Sequence, residues 1–156
     1  NKAAGSSAKE RTLYSYIVGE YKNTIDEGMG SSKAVSLRDT RDYSVLLASF
    51  VNEMSGEVVS VVQFFWLKQG SRQPNKLFVV ASSELNIERY FTKFGSIKSL
   101  KKELKAHRRI EVFNSFKEYS IHFRRLVKIE SEQALNLFYQ TVSMKSVGNL
   151  TSFVRN

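Results

Sequence analysis

A chain of 156 residues with 42% hydrophobic and 12% aromatic content can build one domain with its own core, and is too apolar to stay disordered. It carries 24 Lys or Arg against 15 Asp or Glu, a formal charge of +9, which suits a polyanionic partner such as nucleic acid or another acidic surface. The absence of cysteine excludes disulfides and thiolate zinc sites, and two histidines, His107 and His122, are too few for a three-histidine metal centre. No apolar run nears the roughly 20 residues of a membrane-spanning helix, and no membrane partner is expected.

Taken in order, residues 1–11 read as a flexible terminus, 12–145 as a single domain and 146–156 as a C-terminal extension. The chain opens on Asn1 with no signal peptide ahead of it, and reads as a domain cut from a longer protein. Thr12 to Val18 alternates apolar and polar and predicts a short strand; residues 26–32, DEGMGSS, predict a loop. The runs YSVLLASFV (43–51) and EVVSVVQFFWL (57–67) predict a hairpin across the turn residues 52–56, and KLFVVA (76–81) predicts a third strand behind Pro74. Apolar residues on both faces of 57–67 mark it as central, with Phe65 in the core. A short helical turn is expected within 84–94; Ile97, Leu100 and Leu104 fall at helical spacing, and 97–110 stays open between a helix and a disordered basic loop. Tyr119 to Ile129 alternates as a strand, and 130–142 carries a helical stripe of Ala134, Leu135, Phe138 and Val142 behind acidic residues.

Charge concentrates between Lys98 and Lys128, where ten Lys or Arg and three acids leave a surplus of seven of the chain's nine positive charges. Lys98, Lys101, Lys102, Lys105, Arg108, Arg109, Arg124, Arg125 and Lys128 are therefore candidate phosphate contacts, with a solvated basic face as the plain alternative. On a strand Arg124 and Arg125 point to opposite faces, so only one joins a given surface and the other pairs with Glu130 or Glu132. Tyr43, Phe64 and Trp66 are candidates for a peptide contact, a base-stacking platform or a methyl-lysine cage, weighed against plain core packing. Tyr14, Tyr16 and Tyr21 are assigned to packing of the N-terminal segment.

Catalytic signatures are thin. Residues 28–33, GMGSSK, lack the spacing of a phosphate loop, and Ser99 to Lys102 matches S-x-x-K without its companion motifs. Neither histidine has an evident orienting acid, and Glu130/Glu132 read as helix-start residues. The chain is expected to be no enzyme and to need no cofactor.

Three stretches resemble the bromo-adjacent homology (BAH) family, of the type found in the largest origin-recognition-complex subunit and its silencing-factor paralogue. Residues 42–67 are similar to its aromatic hairpin. Residues 75–97, with Leu77, Phe78, Ser83, Glu84 and Leu85, look like its following strand and loop, and 118–142 resembles its later strand and the helix after it. The resemblance implies a mainly β fold, a distorted β-barrel with a C-terminal helix and short irregular segments. It implies a nuclear, non-enzymatic module that docks on nucleosomes through histone surface or DNA phosphate, in replication-origin or gene-silencing context. Nucleosome, histones, DNA and other subunits of a larger assembly are the partners it suggests. Tyr43 and Phe64 fall at two cage-like positions, while Val79, Val80, Ala81 and Ser82 stand where further cage aromatics belong; the short interval 67–76 leaves out the family's partner-recruiting helical insertion. A sequence-tolerant RNA- or single-stranded-DNA-binding β-domain and an interaction scaffold for an acidic partner stay open as alternatives.

Overall fold

The apolar runs at the centre of the chain pair because each strand reaches its neighbour across a turn built for reversal. A computed structural model describes residues 12–25, 32–129 and 131–143. In chain order its elements are α1 (Leu13–Val18), β1 (Glu20–Ile25), β2 (Ser32–Ser36), β3 (Tyr43–Val51), β4 (Val58–Trp66), β5 (Asn75–Ala81), α2 (Ile87–Phe91), α3 (Ile97–Ala106), β6 (Ile110–Phe113), α4 (Phe116–Leu126) and α5 (Glu132–Ser143). The terminus at 1–11, most of the predicted loop at 26–32, and the extension at 146–156 lie outside the described residues.

β3, β4, β5 and β6 form one antiparallel sheet in that order, and β1 pairs with β2 as a separate hairpin. The fold is thus mainly antiparallel β with helices, and β3 and β6 are the two edges of the larger sheet. Tyr43 faces Trp66 and Val51 faces Val58, in an unbroken register. The turn between them is held by Asn52, whose Oδ1 accepts from the N–H groups of Met54 and Ser55 at 3.0 and 3.2 Å, and by Gly56 at φ +71°.

Each face of the sheet carries its own core. On one, Val62, Phe64, Leu77, Val79 and Ala81 pack with Phe91 of α2 and with Leu100 and Leu104 of α3. On the other, Phe78 and Val80 pack with Tyr119 and Phe123 of α4 and Leu135 of α5. Ser60 is fully buried yet satisfied: its hydroxyl shares a 2.8 Å hydrogen bond with Ser49 and accepts the N–H of Leu85 at 3.1 Å, tying the chain after β5 to the central strand.

Two expectations are corrected. Residues 12–18 are a helix start and helix, not a strand: Thr12 and Ser15 form a capping box, and Gly19 at φ +66° ends the helix. So short a run satisfies either period, and the cap decides it. A Cβ at Gly19 would stand 3.2 Å from the Arg38 guanidinium and 3.3 Å from Leu37, so glycine is needed there for space as well as for φ. Residues 119–126 are helical, not extended, because Tyr119, Phe123 and Leu126 recur at i, i+4 and i+7 and face the sheet, while Ile121, which strand alternation would bury, is 38% exposed. The helix predicted for 130–142 is found as α5, and the helical spacing at 97–104 as α3. β1, β2 and β6 had no counterpart in the sequence reading.

Candidate nucleic-acid interface

α3 is a short helix made reliable by its start. Ser96 accepts from the Ser99 N–H at 3.1 Å and Ser99 returns the bond to the Ser96 N–H at 2.9 Å. Ser99 therefore serves a cap, which accounts for the S-x-x-K match. Leu100 and Leu104 are buried against the sheet. At about 100° per residue, Lys98, Lys102 and Lys105 fall within roughly 60° of one another, on one exposed flank, and Glu103 falls on the other. Arg108 and Arg109 continue the exposed cationic surface into the turn before β6, where the Arg109 carbonyl accepts the Ser82 N–H at 3.0 Å.

Lys101 is a different case. It sits at the edge of the packed side, and its Nζ donates to Asn114 Oδ1 at 2.8 Å and lies 6.0 Å from the centre of the Trp66 ring. Among the described residues the two ion pairs are Arg41–Asp39 at 2.6 Å and His122–Glu111 at 3.2 Å. Neither neutralises a candidate cation. Hydrogen bonds from the Arg41 side chain hold the exposed Asp39 carboxyl below its ordinary range and raise the Arg41 guanidinium in turn.

The remaining candidates lie elsewhere. Arg124 and Arg125 are on α4, over the opposite face of the sheet from α3, and diverge by about 100° rather than facing opposite ways. Arg125 is exposed. Arg124 is half-buried, and its Nε is enclosed with no hydrogen-bond partner. Neither pairs with Glu132, and Glu130 lies outside the described residues. Lys128 follows α4 with φ 57°, the left-handed position of a helix end in which the Ile129 N–H bonds the Arg124 carbonyl at 2.9 Å and the Lys128 N–H bonds that of Arg125 at 3.3 Å. Sequence proximity had merged into one group the cations of α3 and those of α4, which pack on opposite faces of the sheet, although Arg109 and Lys128 line one groove.

The aromatic candidates divide as well. Phe64 has no exposed surface, so its ring contributes packing and not contact; this corrects its assignment as a peptide contact. Tyr43 stacks on it at 4.9 Å and 18°, a separation that leaves no room for a cation between them, and Phe94 closes the cluster at 5.2 Å from Tyr43. Val79, Val80 and Ala81 belong to β5 and are buried, not looped. Tyr43 and Trp66, paired across β3 and β4, keep partial exposure, and Lys101 lies beside the Trp66 ring. Phe65 is core, as expected. Tyr14 is half-buried with Arg72 6.0 Å above its ring, Tyr16 is exposed, and the Tyr21 side chain is outside the described residues.

Sequence reasoning missed two features. His122 does have an acid beside it, Glu111 of β6, a neighbour that becomes visible only once 119–126 is read as a helix against that strand. A groove of about 810 Å³ lies between the β3–β4 hairpin and the end of α4, floored by Val59, Leu126 and Val127, with Arg109 and Lys128 on its walls. Its lining comes from four separate segments, so no local pattern announces it. Among the described residues no group of three His, Asp or Glu is placed to hold a metal, and no helix is long and apolar enough to cross a membrane.

Compared with protein-family models, the chain matches none, and compared with curated proteins it again matches none.

Proposed function

We propose that the protein is a non-enzymatic, nuclear module that docks on nucleosomes, placing the exposed flank of α3 and the turn after it against DNA phosphate and adjoining histone surface. The observation that carries this reading is the set Lys98, Lys102, Lys105, Arg108 and Arg109: five exposed cations on one helix and its exit turn, none neutralised by an ion pair among the described residues. Cations left solvated beside a packed scaffold exchange counterions for phosphate at little conformational cost, which is the main source of affinity for DNA. The proposal includes the BAH-like fold, a distorted β-barrel, and with it the replication-origin or silencing context. The antiparallel sheet β3–β6 followed by helices supports the mainly β character of that fold; the sheet is open, with β3 and β6 as its edges.

The test is a salt series of binding to reconstituted nucleosomes and to the same free DNA, for the native chain and for a variant carrying Lys98→Glu, Lys102→Glu, Lys105→Glu and Arg108→Glu. All four side chains are exposed, so the variant is expected to unfold at an unchanged urea midpoint while losing nucleosome binding. With five phosphates neutralised, the logarithm of the native affinity should fall with the logarithm of salt at a slope on the order of −4 to −5. Preference for nucleosomes that persists near physiological salt supports histone contact. Equal binding that vanishes for both as salt rises reduces the reading to phosphate alone, and unchanged affinity in the variant overturns it. Quenching of Trp66 fluorescence by a single-stranded oligonucleotide alone would favour base stacking instead.

A further inference from the structure

The two edges of the four-stranded sheet differ in kind. β6 is four residues long, carries Glu111 and is flanked by α3 and α4. β3 is nine residues long, YSVLLASFV, without a charge or a proline, and its register to β4 runs without a bulge. Natural edge strands are blunted by shortness, charge, proline or bulges, because their outer N–H and C=O groups are a template for another strand. β3 uses none of these; α2 touches it, and among the described residues no strand pairs with its outer side.

We propose that the outer edge of β3 takes an extended segment of a partner protein as an added strand, and that this segment is apolar in its middle and basic at its ends. Main-chain pairing would supply affinity and alternate side chains the selectivity. On one face those side chains have somewhere to go. α4 contacts β5 and β6, and a hollow of about 360 Å³ lies beside β3, lined by Ala48, Val61, Gln63, Phe116 and Ser120.

Charge selects the occupant. Asp39 and Asp42 stand before β3 and Glu53 and Glu57 after it; of the two cations beside them, Arg41 is bound to Asp39 and Arg38 donates to the Ile17 carbonyl. Residues 38–57 thus carry four acids and two bases, a surplus of two negative charges in a chain whose total is +9. A second copy of this chain is a poor occupant: antiparallel self-pairing would bring the acids at the start of one β3 to the acids at the end of the other. An incoming strand with Lys or Arg at both ends meets carboxylates at both. Nine strand residues span roughly 30 Å, so the basic ends should be separated by about five to seven residues. This inference is independent of the role given to α3.

The experiment titrates the isotope-labelled full chain with a synthetic peptide, Lys-Arg-Val-Thr-Val-Thr-Val-Arg-Lys, with its counterpart carrying Glu at the four charged places, and with the basic peptide N-methylated at alternate residues. Amide shifts are expected along Tyr43–Val51. The acidic and the N-methylated peptides should each bind about tenfold or more weakly, a loss of roughly 1.4 kcal/mol or more. A chain carrying Asp42→Lys and Glu53→Lys, both at exposed positions, should lose about tenfold for the basic peptide at an unchanged unfolding midpoint. The α3 charge-reversal variant should bind the peptide as the native chain does, so failure of the nucleosome reading and failure of this one are separately visible. Absence of shifts in 43–51 at about 1 mM peptide overturns the proposal. So does equal affinity for the N-methylated peptide, unchanged affinity in the Asp42→Lys/Glu53→Lys chain, or a concentration-dependent dimer whose contacts run along β3.

Discussion

α3 and α4 have much the same recipe: each buries a pair of large apolar side chains at i and i+4 against the sheet, and they carry four and three Lys or Arg. They use those cations differently. α3 opens on a two-way serine cap and holds three lysines clear of the packed face, with Lys101 alone turned onto Asn114. α4 has Ser115 at its start without a side-chain cap bond, encloses part of Arg124, and ends by forcing Lys128 into a left-handed conformation. The lesson is that charge counted along a sequence measures supply, whereas charge available to a partner depends on which flank the apolar stripe leaves free.

Three substitutions put that contrast to the test. Leu104→Ala, at the fully packed side of α3, should lower the unfolding free energy by about 2–5 kcal/mol, read from urea denaturation. A loss under about 1 kcal/mol would mean that α3 is not anchored to the sheet as described. Arg124→Met keeps the aliphatic stem and removes an enclosed donor that has no acceptor; it should raise stability by about 1 kcal/mol and leave nucleosome affinity unchanged. A fall in affinity instead would return α4 to the binding surface. Lys128→Gly relieves the left-handed strain, partly offset by the freer unfolded chain, and should raise the thermal midpoint by an amount equivalent to about 0.5 kcal/mol.

How much of this was legible depended on what each stretch of sequence had to encode. β3, β4 and β5 were readable because β-branched and aromatic residues fill them and Asn52 and Gly56 signal the reversal. At α3, Ile97, Leu100 and Leu104 gave the helical spacing, but the basic residues around them fitted a loop as well, and the serine cap and the burial of Leu100 and Leu104 decide for the helix. At 119–129, Ile121 and Phe123 mimic alternation, and only the partners of Tyr119 and Phe123 across the sheet distinguish period 3.6 from period 2. β6 is four residues long, too short to declare itself, and exists because β5 offers it an edge. The candidate surface followed the same rule: Lys98, Lys102, Lys105, Arg108 and Arg109 stay together because one helix and its exit carry them, while Arg124 and Arg125 part from them because a β-strand, invisible in the sequence reading, intervenes; Lys128 lines one groove with Arg109.

The order of the sheet also bears on time. β3 meets β4 across six residues and β4 meets β5 across eight, but β6 reaches β5 only after a stretch of twenty-eight that includes α2 and α3. Short loops close fast and long ones late, so the three-stranded meander should form early and the β6 pairing should complete it. Until then the cationic flank of α3 has no fixed place on the protein. During synthesis or refolding the chain would pair its three central strands before it fixes its charged surface, and amide protection should spread from β4 outward, reaching Ile110–Phe113 last.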